Sequence, residues 1–153
     1  LKSKQKDIIF YIVSIFNELR RKNIKVKKVE SFTNKKELNS ILFKLNPKLI
    51  LVFRANLIFP KEIVDHFKII NFHCADITKE NYRGLGAIYR SFKNKESNPK
   101  ISAHKMVTKI DDGELIFQRN YNFDFTKSYF HNENLAFLSG INAVIQYIKK
   151  IEK

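Results

Sequence analysis

The sequence predicts an α/β domain in which helices flank a mostly parallel sheet. Short uninterrupted apolar runs, typical of strands buried on both faces, alternate with amphipathic helical segments through the first half of the chain. A length of 153 residues matches one domain, and a hydrophobic fraction of 44 % is enough to build a core. We therefore take residues 1–153 as a single domain.

The first half of the chain contains two predicted helices and two predicted strands. Apolar residues recur at helical spacing in Asp7–Lys22, and a short strand follows in Ile24–Val29. Asn34 can cap a second helix, which carries the apolar stripe of Leu38–Leu45. The run Leu49–Phe53 is too short for a helix and predicts a strand that is buried on both faces.

The second half continues the pattern and adds a hairpin. Its predicted elements are a short helix from Pro60 to His66, a buried strand at Ile69–Phe72, a helix at Gly84–Lys93, strands at Ile101–Thr108 and Leu115–Asn122, and a helix at Leu135–Ile151. The turn Asp111-Asp112-Gly113 lies between the last two strands, as expected of a hairpin.

The chain is strongly basic, with 29 Lys and Arg against 15 Asp and Glu and a net charge of +14. Such a surface attracts phosphates and other anions, although dispersed lysines are also typical of a biased composition and a solvated surface. The aromatic residues lie in apolar runs and do not alternate with basic ones, which argues against a nucleic-acid-binding module.

The cysteine, histidine and hydropathy patterns restrict the compartment in which the protein is expected and the metals it could bind. The lone cysteine, Cys74, cannot form an internal disulfide, so we expect a reducing, cytoplasmic compartment. No apolar run reaches the roughly 18 residues that span a membrane. His66, His104 and His131 show no metal-ligand spacing with Cys74, so no metal site is expected.

Two polar side chains follow each other at the end of a predicted strand. Asn71 and His73 lie on the same side of an extended backbone, where an amide can stabilise an oxyanion and an imidazole can move protons. Asp111 and Asp112 are candidates for the carboxylate that orients this imidazole. Each residue alone has a structural explanation: a hydrogen-bonded histidine, a cap or turn asparagine, and a hairpin turn.

Taken in order, these motifs resemble the folate-dependent formyltransferase family. Lys48–Pro60 is similar to the buried strand and folate-binding loop of the family, Ile70–His73 to its Asn-x-His motif, and Tyr82–Gly84 to the end of its next loop. His104–Ile116 resembles its later Asp-x-Gly segment. The resemblance covers almost the whole chain and implies a Rossmann-like fold.

The resemblance also implies a chemistry: formyl transfer from 10-formyltetrahydrofolate to an amine, without a metal. In this interpretation Asn71 holds the oxyanion, His73 moves the proton of the amine, and Asp111, rather than Asp112, assists His73. The residues expected to contact the folate co-substrate are Phe53, Arg54, Ala55, Asn56, Leu57, Ile58, Lys109 and Ile110.

The segment His104–Val107 looks most like the sugar-nucleotide N-formyltransferases, so we expect a small acceptor, the amino group of a nucleotide-linked sugar. Glycinamide ribonucleotide and methionyl-tRNA are the alternative acceptors of the family, and a homodimer is compatible with this class. Residues 74–81 depart from the Ser-Leu-Leu-Pro type loop of the family. A degenerate protein that binds folate without turnover is therefore a further alternative.

The start of the chain also departs from the family pattern. The family domain normally begins with a strand, a glycine-bearing loop, a helix and another strand, and none of these precedes Asp7. The first residue is Leu rather than Met. We therefore expect an N-terminally truncated formyltransferase domain, which would fold and turn over poorly without the upstream elements.

Overall fold

Helices and strands alternate along the part of the chain that the structure, a computed structural model, describes: residues 35–54 and 58–151. The elements in chain order are α1 (Lys35–Leu45), β1 (Ile50–Phe53), α2 (Lys61–His66), β2 (Ile69–His73), α3 (Ala87–Lys93), β3 (Lys100–Lys105), β4 (Leu115–Asn120) and α4 (Tyr129–Ile151). A one-turn 3-10 helix, Glu80–Tyr82, lies before α3. The helix and strand predicted in residues 7–29, and whatever precedes them, lie outside the described residues.

The described strands form one sheet in the order β1-β2-β3-β4. β1 pairs with β2 in parallel, whereas β3 is antiparallel to both β2 and β4. The α/β class with flanking helices is confirmed, but the described sheet is mixed, and only its first pairing shows the expected parallel direction. The connection from β3 to β4, residues 106–114, is too short for the crossover that parallel neighbours need.

One face of the sheet packs against α4. Small residues recur on this helix at nearly one-turn spacing and let it approach the strands closely. The residues buried at this contact are Ile70, Phe72, Ile101, Ala103, Ala136 and Ala143. Gly140 belongs to the same stripe, and a Cβ atom there would lie 2.4 Å from the Phe53 ring. The glycine thus sets the distance between helix and sheet.

The opposite face is covered by α1 and α2. Val52 and Ile69 point to this side and pack with Ile63 and Phe67. Because side chains alternate along a strand, Asn71 and His73 lie on the same face as Ile69, farther towards the carboxyl end of β2. The apolar contact therefore ends where the polar side chains begin.

Several element boundaries differ from the sequence prediction. α3 begins at Ala87, because Gly84 and Gly86 both have a φ of +73° and interrupt a helical start. α4 begins six residues earlier than expected, at Tyr129. Its buried Asn132 accepts a hydrogen bond from the Asp124 backbone and donates one to the Asp124 carbonyl, so a polar residue occupies an internal position. No helix of the described residues is long and apolar enough to cross a membrane.

Candidate active site

The proposed catalytic residues converge in the structure. The Asn71 amide donates to Asp111 Oδ1 at 3.0 Å, and His73 Nδ1 lies 3.2 Å from Asp111 Oδ2. Both carboxylate oxygens are therefore used, one for the amide and one for the imidazole. All three side chains lie beyond or beside the carboxyl end of β2, where ligands bind in open α/β sheets.

His104 is a further member of this cluster. Its Nε2 lies 3.2 Å from Asn71 Nδ2 and 3.3 Å from Asp111 Oδ1, while Nδ1–H donates to the Lys105 carbonyl at 2.9 Å. From the sequence, His104 was expected in a family motif and not as a metal ligand, and no role in the site was predicted for it. The missing information was the antiparallel register of β2 and β3, which pairs Asn71 directly with His104.

The conformation and charge of Asp111 are set by its neighbours. Its side chain is only 9 % exposed, and its backbone adopts a positive φ of 49°. Burial alone would raise the pKa of Asp111, but the neighbouring His104 ring, the charge of His73 and the backbone N–H of Gly84 together lower it to about 2. The carboxylate is therefore ionised at neutral pH although it is buried.

His73 experiences two opposing influences on its protonation. Nδ1 faces the Asp111 carboxylate, and Nε2 lies 2.7 Å from the Tyr82 carbonyl, so both nitrogens face acceptors as in an imidazolium. Burial acts in the opposite direction and is the larger effect, so the pKa of His73 lies below its ordinary value. The neutral ring therefore predominates at pH 7, and Asp111 stabilises the charge when a proton arrives.

The neighbouring carboxylate, Asp112, points elsewhere. It forms an ion pair with Arg83 and a second one with Lys109 at 2.9 Å, and both are on the surface. Asp111 instead accepts a hydrogen bond from the Gly84 backbone at 2.8 Å. The two adjacent carboxylates thus hold the adjacent residues 83 and 84, and only Asp111 reaches the cluster of Asn71 and His73.

The turn that presents Asp111 requires glycine two residues later. A Cβ atom on Gly113 would lie 1.7 Å from the Lys105 carbonyl oxygen, well inside contact distance. The same close approach lets Lys105 N–H donate to the Glu114 carbonyl at 2.9 Å, which closes the connection between β3 and β4. Gly113 therefore fixes the path of the segment that carries the carboxylate.

A cleft of about 410 Å³ opens above the cluster. Asn71, His73, His104 and Asp111 are the polar cluster among its lining residues. Exposed apolar side chains surround the opening: Ile58, Leu85, Val107 and Ile110. This volume and this combination of an apolar rim with few polar groups are typical of small-ligand sites.

The residues expected to contact folate are placed unevenly. Arg54, Ile58 and Ile110 line the cleft. Phe53 packs into the core beside α4, and Lys109 forms its ion pair with Asp112 on the surface, so neither lines the cleft. The remaining three, Ala55, Asn56 and Leu57, lie outside the described residues.

A second polar region lies where α4 meets the cleft. The Tyr129 hydroxyl donates to Glu133 at 2.8 Å, and the Arg54 guanidinium lies 3.4 Å from the centroid of the Phe137 ring. Arg54, Tyr129, Glu133 and Phe137 all line the cleft. Within the described part of the chain, no group of three His, Cys, Asp or Glu side chains is arranged to hold a metal ion.

Several curated relatives of the chain are methionyl-tRNA formyltransferases. No family model matches the chain. The methionyl-tRNA formyltransferase of Borreliella afzelii is 32 % identical over 111 residues, which are 71 % of this chain and 35 % of that protein. The methionyl-tRNA formyltransferase of Thermotoga neapolitana is 26 % identical over 121 residues, 78 % of this chain and 38 % of that protein. The chain spans about a third of the length of these curated relatives.

Solved structures share the fold. Phosphoribosylglycinamide formyltransferase from Campylobacter jejuni has a TM-score of 0.67 at 17 % identity, over 88 % of this chain and 73 % of that one. A sugar N-formyltransferase from a Shewanella species has a TM-score of 0.63 at 21 % identity, over 75 % and 46 %. HypX from Aquifex aeolicus, in complex with tetrahydrofolic acid, has a TM-score of 0.70 at 14 % identity, over 86 % and 23 %.

The chain therefore has the fold of the formyltransferase domain. Its resemblance to the folate-dependent formyltransferase family, first read from its motifs, is confirmed by curated relatives and by solved structures.

Proposed function

We propose that residues 1–153 form the catalytic domain of an enzyme that transfers a formyl group from 10-formyltetrahydrofolate to an amine. The observation that carries this proposal is the convergence of Asn71, His73 and Asp111 in the wall of one cleft. An amide donor, an imidazole and an ionised carboxylate within hydrogen-bond reach are the groups that acyl transfer needs.

The cleft suits a planar donor. Ile58 and Ile110 offer apolar surface at its opening, and the volume of about 410 Å³ falls in the usual range for cofactor sites. The other expected folate contacts, Phe53, Ala55–Leu57 and Lys109, remain predictions. When bound, 10-formyltetrahydrofolate supplies the electrophilic formyl carbon, and its transfer to the amine leaves tetrahydrofolate.

Asn71 is the proposed donor to the formyl oxygen. In the structure its Nδ2 group is already engaged by Asp111 Oδ1 and by His104 Nε2. The formyl oxygen must therefore replace one of these partners. Because the negative charge on that oxygen grows as the amine adds, the Asn71 hydrogen bond becomes stronger in the transition state than in the ground state.

His73 is the proposed group that receives the proton of the attacking amine. Its lowered pKa keeps most of the ring neutral at pH 7, so it can act as a base. The Asp111 carboxylate, 3.2 Å from Nδ1, then stabilises the imidazolium. The proton is passed on to the folate nitrogen as the C–N bond breaks and tetrahydrofolate departs. Nε2 faces the Tyr82 carbonyl at 2.7 Å, so the loop that contains Tyr82 controls access to this nitrogen.

The proposed acceptor is the amino group of a nucleotide-linked sugar. Tyr129 and Glu133 add hydroxyl and carboxylate groups to the cleft wall, which suit the hydroxyls of a sugar, and Arg54 adds a charge for a phosphate. Methionyl-tRNA is the second candidate, supported by the curated relatives and by the net charge of +14. Glycinamide ribonucleotide is a further candidate, on the strength of the shared fold.

A direct test supplies the purified protein with 10-formyltetrahydrofolate and each acceptor in parallel, and measures formylated product and released tetrahydrofolate. Formylation of an amino-sugar nucleotide supports the proposal in full, and formylation of methionyl-tRNA or glycinamide ribonucleotide corrects only the acceptor. Folate binding without any transfer is the result expected either of the degenerate, non-catalytic alternative or of a domain that lacks its upstream elements. Absence of folate binding contradicts the proposed function.

A further inference from the structure

Arg90, the fourth residue of α3, binds the backbone of the segment before its own helix. Its Nε donates to the Asn81 carbonyl at 2.6 Å, one Nη donates to the Leu85 carbonyl at 2.6 Å, and the other donates to the Arg83 carbonyl at 2.7 Å. The guanidinium group therefore holds three carbonyls on alternate residues. Arg90 is not among the residues that line the cleft.

The residues between these carbonyls hold the proposed catalytic side chains. The Tyr82 carbonyl accepts from His73 Nε2 at 2.7 Å, and the Gly84 N–H donates to Asp111 Oδ2 at 2.8 Å. Residues 81–85 thus alternate between contacts with Arg90 and contacts with the site. A change in the position of the Arg90 guanidinium would move both backbone groups that fix His73 and Asp111.

Regular structure does not explain how this segment keeps its shape. Only the 3-10 turn of Glu80–Tyr82 reaches into it, and Gly84 and Gly86, both at positive φ, have no side chain to restrict the backbone. A planar guanidinium presents its N–H groups in a fixed fork, so it can bind several carbonyls in one plane at once. A lysine ammonium is a single point of donation and cannot reproduce that pattern.

We propose that Arg90 is a positioning residue: its guanidinium group shapes residues 81–85, and through them sets the positions of the Tyr82 carbonyl and the Gly84 N–H that contact His73 and Asp111. The catalytic part of this inference rests on the proposed function, whereas the structural part does not. The effect on catalysis acts through the backbone of the segment, because Arg90 itself lies outside the cleft.

The structural part is tested by amide hydrogen exchange, followed residue by residue in the unliganded protein. Arg90→Ala is expected to accelerate exchange at Gly84 by about tenfold or more, as for the loss of a hydrogen bond to a charged group, while the amides of β2 and β3 are unchanged. Arg119→Ala, a matched loss of an exposed arginine on β4, should leave Gly84 unchanged. Unchanged Gly84 exchange in Arg90→Ala overturns the inference.

The catalytic part is tested by kinetics. Arg90→Ala should lower kcat by about tenfold to a hundredfold with KM for the donor within about threefold, the pattern of a transition-state effect. Arg90→Lys should recover little, because lysine lacks the planar fork. Added guanidinium ion should restore part of the kcat of Arg90→Ala and none of that of His73→Ala. A rise in KM alone, or full activity in Arg90→Lys, contradicts the positioning role.

The two proposals fail in different ways. If the wild-type protein transfers no formyl group but Gly84 exchange still depends on Arg90, the proposed function fails and the structural inference stands. If the wild type is active and neither exchange nor kcat responds to Arg90, the inference fails and the function stands. Should Arg90→Ala not fold, Arg90→Lys is measured by the same two methods, with accelerated Gly84 exchange expected and unchanged exchange counting against the inference.

Discussion

Asp111→Asn should destabilise the protein in a pH-dependent way, and the structure sets the size of the effect. The pKa of Asp111 falls from an ordinary 3.8 to about 2, so its ionised form is preferred in the folded state. At about 1.4 kcal/mol per pKa unit this preference contributes about 2 kcal/mol. Because the folded pKa is depressed, the contribution is present above the unfolded pKa and is lost as the pH falls towards 2.

The replacement also changes the hydrogen bonds. Oδ1 of Asp111 faces Asn71 and His104, and Oδ2 faces His73 and the Gly84 N–H. An asparagine has only one oxygen, so its NH₂ group must face one of these pairs and leaves a donor unsatisfied. Such a loss typically costs about 1–3 kcal/mol and does not depend on pH in the same window.

The measurement is the free energy of unfolding by urea for wild type and Asp111→Asn, from pH 7 down to pH 2. The difference between the two proteins should be largest at pH 7 and shrink by about 2 kcal/mol at the acid end. Asp112→Asn, whose side chain forms surface ion pairs, is the matched control and should show a much smaller change. A difference in unfolding free energy that does not change with pH would refute the claim that Asp111 is a buried and ionised carboxylate.

Three further predictions concern packing, the altered loop and the donor. Gly140→Ala should lower the unfolding free energy by about 1–3 kcal/mol, because its Cβ would overlap the Phe53 ring, and thermal unfolding reads this out. Asp76→Asn should lower the unfolding free energy by about 3 kcal/mol, because the replacement leaves the Lys100 ammonium without its buried carboxylate partner. An Asp76→Asn protein with the unfolding free energy of the wild type would contradict this. A stable folate analogue should slow amide exchange in Lys109–Asp111, and protection confined to other segments would remove the folate interpretation.

Much of the fold followed from the periodicity of apolar residues. The apolar run predicted at Leu49–Phe53 forms β1 from Ile50, although only Val52 of it is buried, and the strand predicted at Ile69–Phe72 forms β2, which ends one residue later. Both strands are short, and their core-packed positions are apolar, so the local sequence pattern is enough to predict them. The hairpin of β3 and β4 was also predicted, from the turn residues at 111–113.

The remainder depends on tertiary contacts that a local pattern does not contain. The strand predicted to extend to Thr108 ends at Lys105, where the chain turns to present Asp111 at a positive φ. The helix predicted from Leu135 begins at Tyr129, because the buried Asn132 has backbone partners in the preceding connection. When buried positions of a helix carry polar residues, the spacing of hydrophobic residues does not show where the helix begins.

The site was predicted in two ways. Alternation along β2 was enough to place Asn71 and His73 on one side of the strand. Asp111 and Asp112 were candidate partners from the residues alone, and the choice of Asp111, 38 residues beyond His73, came only from the family resemblance. His104 was missed because its contact requires the register between β2 and β3, and register is not visible in one strand alone.

The measurement that tests the central claim most directly is the turnover of formyl transfer in three single variants. His73→Ala and Asp111→Asn should each lower kcat by roughly two to four orders of magnitude, as for the loss of general acid–base catalysis. Asp112→Asn should stay within about threefold of wild type, because its carboxylate pairs with Arg83 and Lys109 and does not face the cluster. Folded His73→Ala protein that keeps wild-type turnover, or Asp112 in place of Asp111 as the critical carboxylate, would contradict the assignment of this site.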